Sequence, residues 1–280
     1  MNYRHAFHAG NFADLLKHAV LIAVLDLMMR DRAPLSVIDS HAGAGIYDLQ
    51  SDAAWRTAEA EAGIGALMAA PNAPAAFDGL KSLVGALGED GWRFYPGSPL
   101  IIERHLRPGD RLIACEVRPD DSRLLREALR SPMARALRED GFEVVARQTP
   151  KAPARALILI DPPYEATAEA GRIARAVTAA LARNRSAAIA VWAPIKDLAG
   201  FDALLSRLED AAGPLLLVET RLRAPDDPLR LNGCAMIIVN PPDGLEAPAA
   251  AAAAWIAREL GEPSGLGRVR SVGPERSRSS

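Results

Sequence analysis

A chain of 280 residues that is 49% hydrophobic can bury the core of one large domain, or of one domain carrying an insert. Its net charge of −2 excludes a protein that holds a polyanion through overall charge, so any nucleic-acid contact must rest on a local basic patch and a shaped pocket. Cys115 and Cys234 fit neither a disulfide framework nor a zinc spacing, and the apolar run over residues 19–29 is too short for a bilayer, so the expectation is a cytoplasmic monomer with no metal and no membrane segment.

The N-terminal segment reads Tyr3-Arg4-His5-Ala6-Phe7-His8-Ala9-Gly10-Asn11 and leads into a helical stretch with Asp14, Lys17 and His18. At helical spacing Asp14 and His18 share a face, which places the acid to orient the imidazole. Arg4, His5 and Lys17 form a basic cluster suited to phosphates. Three histidines lie close together here, but their irregular spacing without cysteine argues against a metal.

From residue 34 onward, short apolar runs alternate with amphipathic stretches. Strands are expected at 35–39, 111–116, 156–161, 187–192, 215–219 and 234–240, and the first three end in Asp39, Glu116 and Asp161. Continuous apolar strands separated by helices predict an α/β fold with a mostly parallel sheet covered on both faces, in which ligands lie beyond the carboxyl strand ends. One further strand is expected at 134–139, which puts Asp140 and Gly141 over a cofactor's adenosine. A helix is expected at 98–105.

One stretch interrupts the alternation. Helical patterns at 52–70 and 75–87, split by Pro71-Asn72-Ala73-Pro74, predict a small helical subdomain over 51–93 inserted into a domain made of 1–50 and 94–262. Residues 263–280, rich in Gly, Ser and Arg, read as a disordered tail. Arg221, Arg223 and Arg230 form a second basic cluster, which reads as a solvated face.

The chemistry concentrates after the strands. Asp161-Pro162-Pro163-Tyr164 follows an apolar run, so it stands at the ligand edge. An exocyclic amine such as adenine N6 is a poor nucleophile, because its lone pair is delocalised into the ring. The Asp161 carboxylate and the Pro162 carbonyl can accept both amine hydrogens and free that lone pair, while Tyr164 can stack on the base. Asn240-Pro241-Pro242 repeats the pattern without the aromatic, and reads as structural if its strand runs antiparallel. Asp39-Ser40-His41-Ala42-Gly43-Ala44-Gly45 lets a backbone approach a nucleotide, and Glu116 can accept from both hydroxyls of a ribose.

Taken together, YRHAFHAGNFADLLKH, DSHAGAGIY, YPGSPLI, CEVRP, DGF and DPPY resemble, in the same order, motifs of the bacterial 23S ribosomal RNA adenine-N6 methyltransferases that modify the adenine conventionally numbered 2030. The resemblance covers about residues 1–245. It implies a Rossmann-like class I methyltransferase with a seven-stranded sheet, S-adenosylmethionine as cofactor and 23S ribosomal RNA as partner. It further implies cofactor contacts at His18, His41, Ser98, Glu116, Asp140, Gly141 and Asp161, catalysis at Asp161, and a substrate contact at Tyr3. Arg4 and Lys17 join Tyr3 on the substrate side by charge. Two rivals remain: a DNA adenine-N6 methyltransferase, and a non-catalytic nucleic-acid binder of the same fold.

Overall fold

In the computed structural model, residues 8–51, 58–88, 91–164 and 168–273 are described. Tyr3 and Arg4, expected as substrate contacts, lie outside them.

Helix α1 (Phe12–Met28) starts where the Asn11 side chain accepts hydrogen bonds from the Ala13 and Asp14 N–H groups at 2.9 and 3.1 Å, relieving two otherwise unpaired donors. Leu15, Leu16, Val20, Leu21, Val24 and Leu25 are all fully buried, so the helix is enclosed rather than laid on a surface. Two guanidiniums hold its far end. Arg107 donates to Met29 O at 2.9 Å and Asp31 O at 2.8 Å, while Arg155 donates to Met28 O and, at 2.8 Å, to Ala33 O.

The chain continues through β1 (Leu35–Asp39), β2 (Ile46–Asp48), α2 (Ala66–Ala69), α3 (Asp78–Gly85), β3 (Phe94–Pro96), α4 (Ser98–His105), β4 (Arg111–Cys115), α5 (Pro119–Ala128) and β5 (Ala134–Leu137). It then runs through α6 (Gly141–Gln148), β6 (Arg155–Ile160), α7 (Glu169–Arg183), β7 (Ala188–Ile195), α8 (Leu198–Ala212), β8 (Leu215–Arg221), β9 (Gly233–Val239), α9 (Glu246–Leu260) and β10 (Leu266–Val272). The main sheet is ordered β10-β8-β9-β7-β6-β1-β4-β5, and β2 pairs with β3 apart from it. Strands β5, β4, β1, β6 and β7 are parallel, and β9 runs antiparallel between β7 and β8. This is a doubly wound α/β architecture, a mostly parallel sheet with an antiparallel edge, as expected. One apolar cluster, containing α1 and α9, covers one face of the sheet, and a second, containing α6, α7 and α8, covers the other.

The sheet has eight strands, not seven, because the expected tail is ordered as far as Gly273. β10 pairs antiparallel with β8 along its whole length. Composition misled here for a physical reason. Gly267 lies against α9 so closely that a Cβ would sit 2.2 Å from the Ala253 carbonyl oxygen, and Arg268 reaches the fully buried Glu219 at 2.9 Å. Glycine and arginine, read as disorder, are what let this edge strand dock.

The reversal of β9 decides the status of Asn240-Pro241-Pro242, which falls at the opposite edge of the sheet from Asp161. Asn240 has a positive φ of 50°, and its amide donates to the Arg185 and Ala187 carbonyls at 2.8 and 2.9 Å. The copy is a turn, as expected. Within the stretch expected as an insert, a π-helical turn (Glu61–Gly65) runs into α2, and a 3₁₀ turn (Ala75–Phe77) runs into α3. Both pack on the main core: Ile64 N–H donates to Gly10 O at 2.8 Å, and the Phe77 ring meets Trp255 edge-on at 5.2 Å.

Candidate active site

Adjacent strands β6, β1 and β4 bring Asp161, Asp39 and Glu116 to one edge. Beyond that edge lies a cavity of about 440 Å³ whose lining includes Lys17, His18, Gly43, Ser98, Glu116, Asp161 and Pro162. Small-molecule sites span about 300–1,000 Å³, so it has the capacity for a nucleoside-sized cofactor. A second, smaller hollow, of about 130 Å³, adjoins it at Ser40, His41, Asp140, Gly141, Pro163 and Arg172.

The centre of the site is an ion triplet. Lys17 Nζ lies 2.8 Å from Asp14 Oδ1 and 2.8 Å from Asp161 Oδ2. Burial works against the ammonium, but the Asp14 and Asp161 carboxylates more than offset it and raise the Lys17 pKa well above its ordinary value. Lys17, expected as a phosphate contact, therefore stands inside the site with 4% of its surface exposed. Its position one turn into a buried helix leaves it no route to the surface. Asp14 accepts from Gly10 N–H at 2.9 Å as well as from Lys17, and the His18 ring is held by the Tyr95 hydroxyl at 2.7 Å.

Asp39 is a residue whose role sequence reasoning missed. It is fully buried, accepts the Ser98 hydroxyl at 2.7 Å through Oδ2, and its Oδ1 finds no hydrogen-bond partner among the described residues. Burial pushes its carboxyl up to about 7, against the lowering effect of the Ser98 hydroxyl, and the charge of Asp161 adds to the rise. Burial lowers His41 to about 4, so its imidazole is neutral at physiological pH; its Nδ1 shares a 2.7 Å hydrogen bond with the Ser40 hydroxyl.

Glu116 accepts the Arg118 N–H at 2.8 Å and the Gly43 N–H at 3.2 Å, which fixes its carboxylate on the cavity wall. The Asp140 side chain caps α6 by accepting the Phe142 N–H at 3.0 Å, and it also pairs with Arg172, whose guanidinium lies 4.4 Å over the Phe142 ring. Gly141 is required by contact, since a Cβ there would sit 1.8 Å from the Ser40 carbonyl oxygen. Tyr164 is anchored to β7. Its hydroxyl donates to Trp192 O at 2.6 Å, its ring meets Trp192 edge-on at 5.8 Å, and its φ is 55°. Asp161, Pro162 and Pro163 line the cavity, whereas the Tyr164 ring packs into the wall behind them.

The cavity suits a nucleoside-sized cofactor. Gly43 and Gly97 leave room along the wall, Glu116 offers a carboxylate acceptor there, and Ser98, whose hydroxyl donates to the buried Asp39 behind it, adds polarity.

Comparison with known proteins assigns the chain. The family described as "Ribosomal RNA large subunit methyltransferase D, RlmJ" matches residues 32–272. The chain belongs to the RlmJ family of ribosomal RNA large subunit methyltransferases. An Escherichia coli (strain K12) relative described as ribosomal RNA large subunit methyltransferase J is 34% identical over 273 residues, covering 96% of this chain and 97% of the relative. A Haemophilus influenzae relative with the same description is 32% identical, covering 88% and 89%. Among solved structures, protein LPL1258 from Legionella pneumophila superposes with a TM-score of 0.86 at 27% identity, covering 94% of this chain and 98% of that one. Within this RlmJ-family chain, no helix among the described residues is long and apolar enough to cross a membrane, and no group of metal-binding side chains is found among them.

Proposed function

We propose that this chain transfers a methyl group from S-adenosylmethionine to N6 of an adenine in 23S ribosomal RNA, the position conventionally numbered 2030. The observation that carries the reading is the Asp161-Pro162-Pro163 segment lining the cavity, with its carboxylate held by a buried lysine. Descriptions of the relatives as large-subunit ribosomal RNA methyltransferases support the substrate class.

When bound, the cofactor supplies an electrophilic methyl group. Glu116 would accept from its ribose, Asp140 and Gly141 would meet its adenine, and Ser98, His18, His41 and Asp161 would hold the remainder. Asp161, oriented by Lys17, accepts one N6 hydrogen of the substrate, and the Pro162 carbonyl accepts the other. Both contacts favour a pyramidal nitrogen whose lone pair is free to attack. They strengthen as N6 gains positive charge, so they stabilise the transition state more than the ground state. The N–C bond forms as the cofactor's methyl–sulfur bond breaks to leave a neutral thioether, and one N6 proton is then lost to solvent, because only after transfer is the nitrogen acidic.

The test is transfer of labelled methyl to unmodified 23S ribosomal RNA, followed by nucleoside analysis. Label should appear as N6-methyladenosine. Asp161→Asn should keep cofactor affinity within a few-fold while turnover falls by orders of magnitude. Label in another nucleoside, or in DNA in preference to RNA, overturns the proposal.

A further inference from the structure

The loop over residues 222–232 joins β8 to β9 at the same edge as Asp161, and it is braced rather than slack. Asn232 is fully buried; its amide donates to Lys196 O at 2.8 Å and Asp227 O at 2.7 Å, and its N–H donates to Ile195 O at 3.0 Å. Asp227 Oδ1 accepts the Leu229 N–H at 3.0 Å, and Arg230 N–H donates to Asp227 O at 3.2 Å. A tightly built turn therefore holds Leu229 in solvent, 93% exposed.

The position is not random. Among the described residues, the large apolar side chains left exposed are Val117, Leu124, Leu198 and Leu229. Val117 and Leu124 line the cavity, Leu198 opens α8 just past β7, and Leu229 follows β8. All four stand on the carboxyl edge of the sheet. Lys196 and Arg230 are exposed beside the last two and make no ion pair among the described residues. Asp197 and Asp226 are exposed there too, so the lip is not a bulk cationic surface. Its distinguishing feature is an apolar tip flanked by two cations. The loop enters β9 at Gly233, which pairs with Ile195 at the end of β7, the strand beside β6. Ile160 at the end of β6 pairs with Val191, so Gly233, level with Ile195, stands about 10 Å to the side of β6 and about 10 Å beyond Asp161 along the strands, roughly 14 Å from it in all.

Given the proposed function, on which this step rests, the target adenine must leave its stack to reach Asp161. Nucleic-acid proteins hold such gaps open with apolar wedges, leucine among them. We infer that Leu229 is the wedge that fills the stack vacated by the target adenine, while Lys196 and Arg230 hold the phosphates on either side. Of the cluster Arg221, Arg223 and Arg230, only Arg230 takes part, because Arg221 is paired with Glu219 and Arg223 with Glu262.

The experiment uses the full chain and a ribosomal RNA fragment containing the target, unmodified for methylation and carrying 2-aminopurine at the target for fluorescence. Leu229→Ala should reduce the fluorescence gain and lower kcat/KM for RNA about tenfold, with cofactor affinity and Tm unchanged. Arg230→Glu should weaken RNA binding and flatten its salt dependence by about one phosphate contact. Wild-type-like values for Leu229→Ala, with wild type methylating the fragment at N6, overturn the wedge and leave the proposed function standing. A wild type that neither binds nor methylates the fragment overturns both. If Leu229→Ala matches wild type on bare RNA but fails on ribosomal particles, the lip docks a protein and the inference is wrong.

Discussion

The Lys17 ammonium bridges Asp14 and Asp161 at 2.8 Å each, so the reacting carboxylate is held by a helix at the far end of the sequence from it. Removing one member of a buried ion group costs about 3–5 kcal/mol, because the charge left behind stays desolvated. Lys17→Met should lower Tm by several degrees and turnover by at least tenfold. Adding Asp14→Asn should recover part of the Tm and none of the turnover, since Asp161 would remain unheld. Thermal melts and single-turnover methyl transfer separate the two effects; unchanged turnover in Lys17→Met would detach this residue from Asp161's work.

Glu116 carries two duties, bracing the glycine turn through Gly43 N–H and facing the cavity. Hydrogen bonds to a charged acceptor are worth about 1.5–3 kcal/mol each. Glu116→Gln, which keeps a carbonyl acceptor, should weaken cofactor binding about tenfold or more with little change in Tm. Glu116→Ala should weaken it further and lower Tm. Calorimetry giving wild-type affinity for both variants would remove Glu116 from the site.

Asp39 makes stability depend on pH in a defined direction. Its folded-state pKa, about 7, is above the ordinary 3.8, so the native state binds its proton more tightly than the unfolded chain does. The resulting penalty is absent below about pH 4, grows as pH rises, and is complete above pH 7, with an upper bound on the order of 4 kcal/mol. Asp39→Asn should therefore stabilise the protein, and by more at pH 8 than at pH 5, while its carbonyl still accepts the Ser98 hydroxyl. Equal Tm gains at both pH values would show that the carboxyl is not the group that titrates.

Gly141→Ala would drive a methyl group into the Ser40 main-chain carbonyl, which has no flexible side chain to move aside. The start of α6 must then shift, taking Asp140 with it. Cofactor affinity should fall more than tenfold and Tm by several degrees. Gly171→Ala in α7, where the nearest atom to a new Cβ is an arginine side-chain nitrogen at 3.4 Å, is the control and should be neutral or mildly stabilising. An intact Gly141→Ala enzyme would mean that α6 can move without harm to the site.

Much of this was readable in the sequence because acids at the ends of apolar runs mark a sheet edge directly. Asp39, Glu116 and Asp161 needed only local pattern. The partner of Asp161 did not follow, since Lys17 lies 144 residues away and a lysine on a helix looks like a surface cation. The setting of Tyr164 did not follow either: nothing local says that its hydroxyl is taken by the Trp192 carbonyl. β10 was missed because a strand built of glycine and arginine is stabilised by what it touches, Ala253 and Glu219, rather than by its own propensity.

The two guanidiniums at the end of α1 give that helix a mechanical role. Lys17 sits eleven residues before Met28, about 16 Å along the axis at 1.5 Å per residue, and helices transmit axial displacement with little compliance. Arg107 and Arg155 act as a datum from which the position of the reacting carboxylate is gauged, on the side of the molecule away from the substrate. A fault there would be felt at Asp161 as misalignment, and would look in an activity assay like damage to the chemistry itself.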